Sequence, residues 1–226
     1  MTEQQFRSEL KHSINVGDYL QLRAKLKHIM HLDSNASQDG CYKIRSLYFD
    51  NYADKAVTEK LSGLSRREKF RIRYYNDNPS FIRLEKKSKI NKGCYKESAR
   101  LTAEQCDEIL NGCYDCLCAS ESPLLLEFYT KIHYETLRPK IIVDYTREAY
   151  IYRAGNVRIT LDSNIRSSSN VFGLLNPTIP TIPSAQAIIM EVKFDGFLPD
   201  IIKDMLQLSN RNMTEFSKYV VARLVQ

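Results

Sequence analysis

Arg71 and Arg73 stand two residues apart in the run Phe70-Arg71-Ile72-Arg73-Tyr74-Tyr75, and other stretches repeat the pattern of charge on alternate positions. They are Arg83-Leu84-Glu85-Lys86-Lys87, Val157-Arg158-Ile159-Thr160-Leu161-Asp162 and Met190-Glu191-Val192-Lys193-Phe194. Side chains alternate faces along a strand, so residues two apart share a face. Each run then has one charged face and one mostly apolar face. A guanidinium holds phosphate oxygens in pairs, and an ammonium acts as a movable point charge. Their mixture suits a chain of phosphates better than a single carboxylate. Glu191 and Lys193 set an acid beside a base on one face. The acid can hold a divalent ion while the lysine touches the same phosphate, and Mg²⁺ commonly takes one or two carboxylates plus substrate phosphates. Glu9 and Lys11 repeat that spacing.

Two arrangements could present these faces. One is an ordinary sheet with a wet outer side. The other is a barrel closed around a charged lumen, which removes exposed edges. In a lumen, Lys11, Arg71, Arg73, Lys87, Lys96, Arg147, Arg158 and Lys193 would point inward with Glu9, Glu85, Asp162 and Glu191. Cations buried without partners are costly, so the surplus calls for an anionic ligand, water or both.

The elements that must carry these residues can be read from spacing and breakers. Strands are expected at 6–14, 42–49, 67–75, 80–88, 94–101, 140–147, 148–153, 157–162 and 186–194, with turn chemistry from Asn76 to Pro79. Helices are expected at 18–30 and 51–61, the second capped by Asp50 and ended by Gly63. Thr102-Ala103-Glu104-Gln105 is a capping box for a third helix. Pro123 stands at the first position of a fourth, which Pro139 ends. Residues 163–185, rich in Ser, Asn and Pro, read as a loop, and the tail from Leu198 reads as helical. The expectation is one α+β domain over residues 1–226, built on antiparallel strands.

The remaining composition narrows the field. Lys and Arg number 33 against 27 Asp and Glu, a formal charge of +6, which suits an anionic partner without naming one. No apolar stretch approaches the roughly 20 residues of a membrane span, and no secretory signal opens the chain, so a cytoplasmic protein is expected. The six cysteines then read as free thiols. Cys113-x-x-Cys116 lacks a second pair for a zinc site. A phosphate loop and a nucleophile elbow are both missing from the sequence. Nucleic-acid binding lacks a Gly-aromatic motif or an evident stacking platform, and is not expected.

Taken in order, the short motifs resemble the VTC-type polyphosphate polymerase domains of the triphosphate tunnel metalloenzyme superfamily. They are Arg7-x-Glu9-x-Lys11, Ser46-Leu47-Tyr48-Phe49-Asp50-Asn51, Arg71-Ile72-Arg73-Tyr74, Glu85-Lys86-Lys87, Tyr145-Thr146-Arg147, Val157 to Asp162, Glu191-Val192-Lys193-Phe194 and Phe216-Ser217-Lys218-Tyr219. The resemblance spans about residue 6 to 224. It implies an α+β fold whose antiparallel strands close into a tunnel of about eight strands, with helices packed outside. It implies ATP-dependent synthesis of polyphosphate. Arg71, Arg73, Lys193 and Lys218 would be catalytic. Lys11, Lys87, Lys96, Arg147, Arg158 and Ser217 would bind phosphate, and Glu191 would hold Mn²⁺ or Mg²⁺. Arg7 stands where the superfamily places a first acid. The rival readings are a triphosphatase and a non-catalytic polyphosphate-binding module. The partners expected are ATP and polyphosphate, with neither nucleic acid nor a membrane segment, and with a further protein partner left open.

Overall fold

Charged and apolar residues separate onto opposite faces of the strands, as the alternation requires. The computed structural model describes residues 7–37, 39–91, 93–206 and 215–226. In chain order its elements are β1 (Arg7–Ile14), α1 (Val16–Ile29), β2 (His31–Leu32), β3 (Cys41–Asp50), α2 (Lys55–Leu61), β4 (Arg66–Tyr75), β5 (Asn78–Ile90), β6 (Gly93–Leu101), α3 (Ala103–Leu110), α4 (Asp115–Cys118), α5 (Pro123–Tyr134), β7 (Arg138–Tyr152), β8 (Val157–Ser168), β9 (Ile182–Ala185), β10 (Ile188–Asp195), α6 (Asp200–Leu206) and α7 (Lys218–Val225). The fold is α+β on a mostly antiparallel sheet.

The chain divides into two compact units. The first takes the described residues up to Tyr42, then Tyr145–Ile165 and Ala185–Ser217. Its strands follow the order β1-β10-β8-β7, with β2 on β7. Ile188, Met190 and Val192 of β10 join Val157, Ile159 and Leu161 of β8 in its core, with Leu22 and Leu26 of α1 and Ile202 of α6. The opposite face carries the charges. Lys11 pairs with Glu191 and Glu191 with Thr160, while Glu9 pairs with Lys193 and Lys193 with Arg158. Directly paired residues share a face.

The second unit takes Lys43–Asp144, Arg166–Ser184 and Lys218–Gln226. Its strands run β7-β3-β4-β5-β6, with β9 on β8. Leu47, Phe49, Phe70, Ile72, Ile82 and Leu84 pack with Cys106 and Ile109 of α3 and Phe128 and Ile132 of α5. Phe128 meets Phe49 edge-on and stacks on Phe70, at centroid distances of 4.9 and 5.3 Å. The Thr102–Gln105 capping box forms in both directions, and Pro123 opens α5. On the other face the register aligns Tyr48, Arg71, Glu85 and Ser98 in one row, and Ser46, Arg73, Arg83 and Arg100 in the next.

Several expectations are corrected. Among the described residues the strand pairing is a path with two ends, β1 and β6, rather than a closed ring. Both end strands are rich in charge (Glu9 and Lys11; Lys96, Glu97 and Arg100), which discourages further edge pairing. Residues 138–152 form one 15-residue strand, not two, because no turn residue interrupts it at Arg147-Glu148. The supposed loop at 163–185 contains the end of β8 and all of β9, joined by Ser184 Oγ donating to Ser167 Oγ at 2.7 Å. Helix α2 begins at Lys55, not Asn51. Asp50 accepts from the backbone N–H groups of Asn51 and of Ala56, the second residue of the helix, so it still caps the first turn, from five residues before the helix instead of one. The turn between β4 and β5 is only Asn76-Asp77, both with positive φ (52° and 54°), the pairing that a two-residue hairpin requires. The helical reading of the tail covers 207–214, which lie outside the described residues. Ser217 directly precedes α7 instead of lying in it.

Candidate functional site

In the second unit the site is built around a buried acid. Glu85, 2% exposed, accepts from Arg71 Nε at 2.8 Å and lies 2.6 Å from Lys96 Nζ. Arg73 Nη1 is 3.8 Å away, an ion-pair distance, while its Nε donates to Ser46 Oγ at 2.9 Å. Burial alone would raise the Glu85 carboxyl; Arg71, Arg73 and Lys96 reverse this and hold it far below the usual carboxylate range. Lys87 stands in a row with Lys69 and Lys96 on adjacent strands of this face. Like charges set directly opposite one another cost a sheet stability unless they are neutralised, and Glu85 neutralises Lys96 of this row.

Tyr48 completes the group. Its hydroxyl accepts from Arg71 Nη1 at 3.1 Å, and Lys69 Nζ lies 5.7 Å from its ring centroid. Burial would raise this phenol, but the charges of Arg71, Lys69 and Arg73 bring it down to about 7. Tyr219 of α7 stacks on Tyr48 at 5.0 Å and donates to Asp50 at 2.7 Å. Arg223 donates to Asp54 at 2.7 Å. These contacts dock α7 on the charged side of β3 and fix its first residue, Lys218, in the second unit. Ser217 closes the first unit's last segment.

In the first unit the centre is Glu191. Lys193 Nζ lies 2.8 Å from it and 3.7 Å from Glu9, and Lys11 Nζ is 2.6 Å from Glu9. Burial would raise the Glu191 carboxyl; Lys193, Lys11 and Arg147 hold it well below the usual range. Arg147 grips Asp162 with two parallel hydrogen bonds of 2.6 and 2.7 Å. Burial disfavours its charge, and Asp162 more than restores it. Arg158 Nη2 donates to Asp33 at 2.6 Å and to Tyr42 at 3.0 Å. The sequence-derived residues thus fall into two sets: Arg71, Arg73, Lys87, Lys96 and Lys218 in one unit, and Lys11, Arg147, Arg158, Glu191, Lys193 and Ser217 in the other.

Glu191 and Glu9 are hard oxygen donors of the kind that suits Mg²⁺ or Mn²⁺. Both are engaged by ammonium groups, Lys193 at 2.8 and 3.7 Å and Lys11 at 2.6 Å, which a cation would have to displace. No group of three or more His, Cys, Asp or Glu suited to a metal occurs among the described residues. A cation there would therefore complete its shell from phosphate oxygens and water. We expect Glu191→Gln to cut turnover at least about 100-fold and to abolish the response to added Mn²⁺. Activity measured across a Mn²⁺ titration checks this; a wild-type titration curve would refute the assignment.

Sequence reasoning passed over several residues of these faces. Lys69 continues the 69-71-73 alternation and could have been included on that ground. Tyr48 and Ser46 continue it on β3. Asp33 gave no signal, because its tie to Arg158 links positions 125 apart in the chain. Arg45 is a basic residue of the opposite register. It lies on the apolar face, paired to Asp144 at 2.8 and 2.7 Å.

The site and fold together define an α+β protein with two cation-rich sheet faces, each organised around a buried carboxylate. The VTC domain family matches residues 6–225, and the chain belongs to it. Among the solved structures that share its fold are two, one bacterial and one archaeal. A Bacillus halodurans protein described as a candidate adenylate cyclase is 14% identical, with a TM-score of 0.52 over 90% of this chain and 87% of its own. A Pyrococcus horikoshii protein is 14% identical, with a TM-score of 0.51 over 98% of this chain and 100% of its own. No curated protein matches the chain in sequence. Family and charged faces together support a phosphoryl-related function. No helix among the described residues is long and apolar enough to cross a membrane.

Proposed function

We propose that the protein synthesises inorganic polyphosphate from ATP by metal-assisted phosphoryl transfer, releasing ADP. The observation that carries this reading is the second unit's face, where Lys69, Lys87 and Lys96 align across three strands beside Arg71 and Arg73. Glu85 is the acid at its centre. A linear polyanion matches that row better than a compact anion does. Phosphoryl transfer asks little covalent chemistry of a protein; positioning and charge neutralisation dominate. On the second unit's face Arg71, Arg73 and Lys218 are the cations for charge that builds on phosphate oxygens, with Lys87 and Lys96 as phosphate ligands. On the first unit's face Lys193 has the catalytic role, with Lys11, Arg147, Arg158 and Ser217 as phosphate ligands. A terminal oxygen of the growing polymer forms the new P–O bond as the bond to the departing ADP breaks. A cation at Glu191, Mn²⁺ or Mg²⁺, supplies Lewis-acid neutralisation of phosphate oxygens when bound.

Hydrolysis of triphosphate or nucleotide is the second reading. Arg158 and Lys193 are each about one third exposed (36% and 35%), so water reaches this face and could replace the polymer as acceptor. Incubation with ATP and Mn²⁺ separates the readings. Long polyphosphate on a gel with stoichiometric ADP is the expected result. Free phosphate without polymer would assign hydrolysis instead. Binding of polyphosphate with no turnover would leave a binding module. Nucleic acid of matched charge should fail to displace bound polyphosphate.

A further inference from the structure

Strand β8 carries two buried donors with no acceptor among the described residues. Thr160 is 5% exposed, and its Oγ1 makes no hydrogen bond. The Nε of Arg158 is likewise buried and unbonded, although Nη2 of the same side chain reaches Asp33 and Tyr42. The two residues are on one face, separated only by core residue Ile159. Thr160 lies opposite Glu191, and Arg158 lies opposite Lys193. Buried polar atoms in folded proteins nearly always have partners, so an orphan asks for one. Valine would fill the space of Thr160 without that cost. The chemistry of the missing partner is constrained: Arg Nε can only donate, and Thr Oγ1 can donate as well as accept. A partner common to both is an acceptor. Lys193 stands 2.8 Å from Glu191 and Lys11 2.6 Å from Glu9 on the same face, cations that would favour an anionic acceptor.

We propose that Thr160 is a phosphate-positioning residue, its Oγ1 donating to one oxygen of a linear phosphate ligand while Arg158 Nε donates to another. Strand positions two apart are separated by about 7 Å, so the two donors engage different oxygens of one extended ligand. The inference rests on the phosphate-binding reading of this face, and deepens it by naming a neutral donor among its cations.

The test is calorimetric titration of the full chain with tripolyphosphate, with and without Mn²⁺, on wild type, Thr160→Val and Thr160→Ser. A hydrogen bond to a charged group corresponds to about tenfold or more in affinity, so Thr160→Val should bind about tenfold more weakly. Thr160→Ser, which keeps the hydroxyl, should bind like wild type. Melting without ligand should show Thr160→Val as stable as wild type or more so, since the orphan atom is gone. Equal affinity of Thr160→Val and wild type overturns the inference. So does a lower ligand-free melting temperature for Thr160→Val with unchanged affinity, because the hydroxyl would then be structural. If Thr160→Val fails to fold, Thr160→Ala carries the same comparison. Failure of wild type itself to bind tripolyphosphate removes the underlying reading, and is distinct from either result.

Discussion

Arg73→Ala is expected to lower turnover about 10²- to 10³-fold, the range seen when one preorganised donor to developing charge is removed. Arg73 is the better probe of the two arginines. Arg71 is engaged by Glu85 through Nε and by Tyr48 through Nη1, so its removal would disturb the acid and the phenol together. Arg73 is anchored by Ser46 through Nε and stands 3.8 Å from Glu85. Without it, Glu85 retains Arg71 and Lys96, and the buried carboxylate is not stranded. The circular dichroism spectrum and the thermal transition should therefore stay close to wild type while product formation collapses. Arg73→Lys restores the charge but not the planar fork, and should recover only part of the loss. A fall in kcat with little change in KM would mean that Arg73 acts on the transferred group; a rise in KM alone would mean that it only holds substrate. Wild-type polyphosphate yield from Arg73→Ala would sink the catalytic role.

The features that spacing fixes were legible, and those set by distant contacts were not. Alternation alone placed Arg71 and Arg73 on one face and Ile72 in the core, because strand period is a local property. The capping box at Thr102 and the proline at 123 are likewise local, and both appear as expected. Closure of the sheet is not local. It depends on whether β1 and β6 find partners, and their charged edges leave the pairing path open. Glu85 was legible as an acid on the charged face, yet its place as hub required the register that brings Lys96 of β6 beside it. Thr160 was inconspicuous for another reason. A threonine between Arg158 and Asp162 reads as ordinary strand filler until burial and the lack of a partner are known. Serine and asparagine in 163–185 misled because those residue types favour turns, whereas here paired strands accommodate Ser167 and Ser184 through their mutual hydrogen bond.

Glu85→Gln is expected to destabilise the ligand-free protein by about 3–5 kcal/mol, the cost of removing one partner of a buried ion pair. Lys96, half exposed, contributes little to that figure, since solvent can take over its charge. The cost falls on Arg71 and Arg73, which would be left facing each other's charge. Linkage gives the effect a pH signature. The Glu85 carboxyl is depressed in the folded state, so its contribution is complete above the ordinary carboxylate value of about 4.3 and is lost as pH falls from there toward the folded value. The gap in melting temperature between wild type and Glu85→Gln should accordingly be widest near neutrality and narrow on acidification. Ligand gives a second signature. If the freed guanidiniums are phosphate ligands, tripolyphosphate replaces the missing negative charge, and at 100 times Kd binding returns about 2.7 kcal/mol. Most of the lost stability should come back, with a larger ligand-induced shift than in wild type. A variant that melts like wild type at every pH would contradict the account of Glu85 as the hub. A destabilised variant that tripolyphosphate fails to rescue would separate the hub from phosphate binding, leaving Arg71 and Arg73 as structural partners of one buried acid.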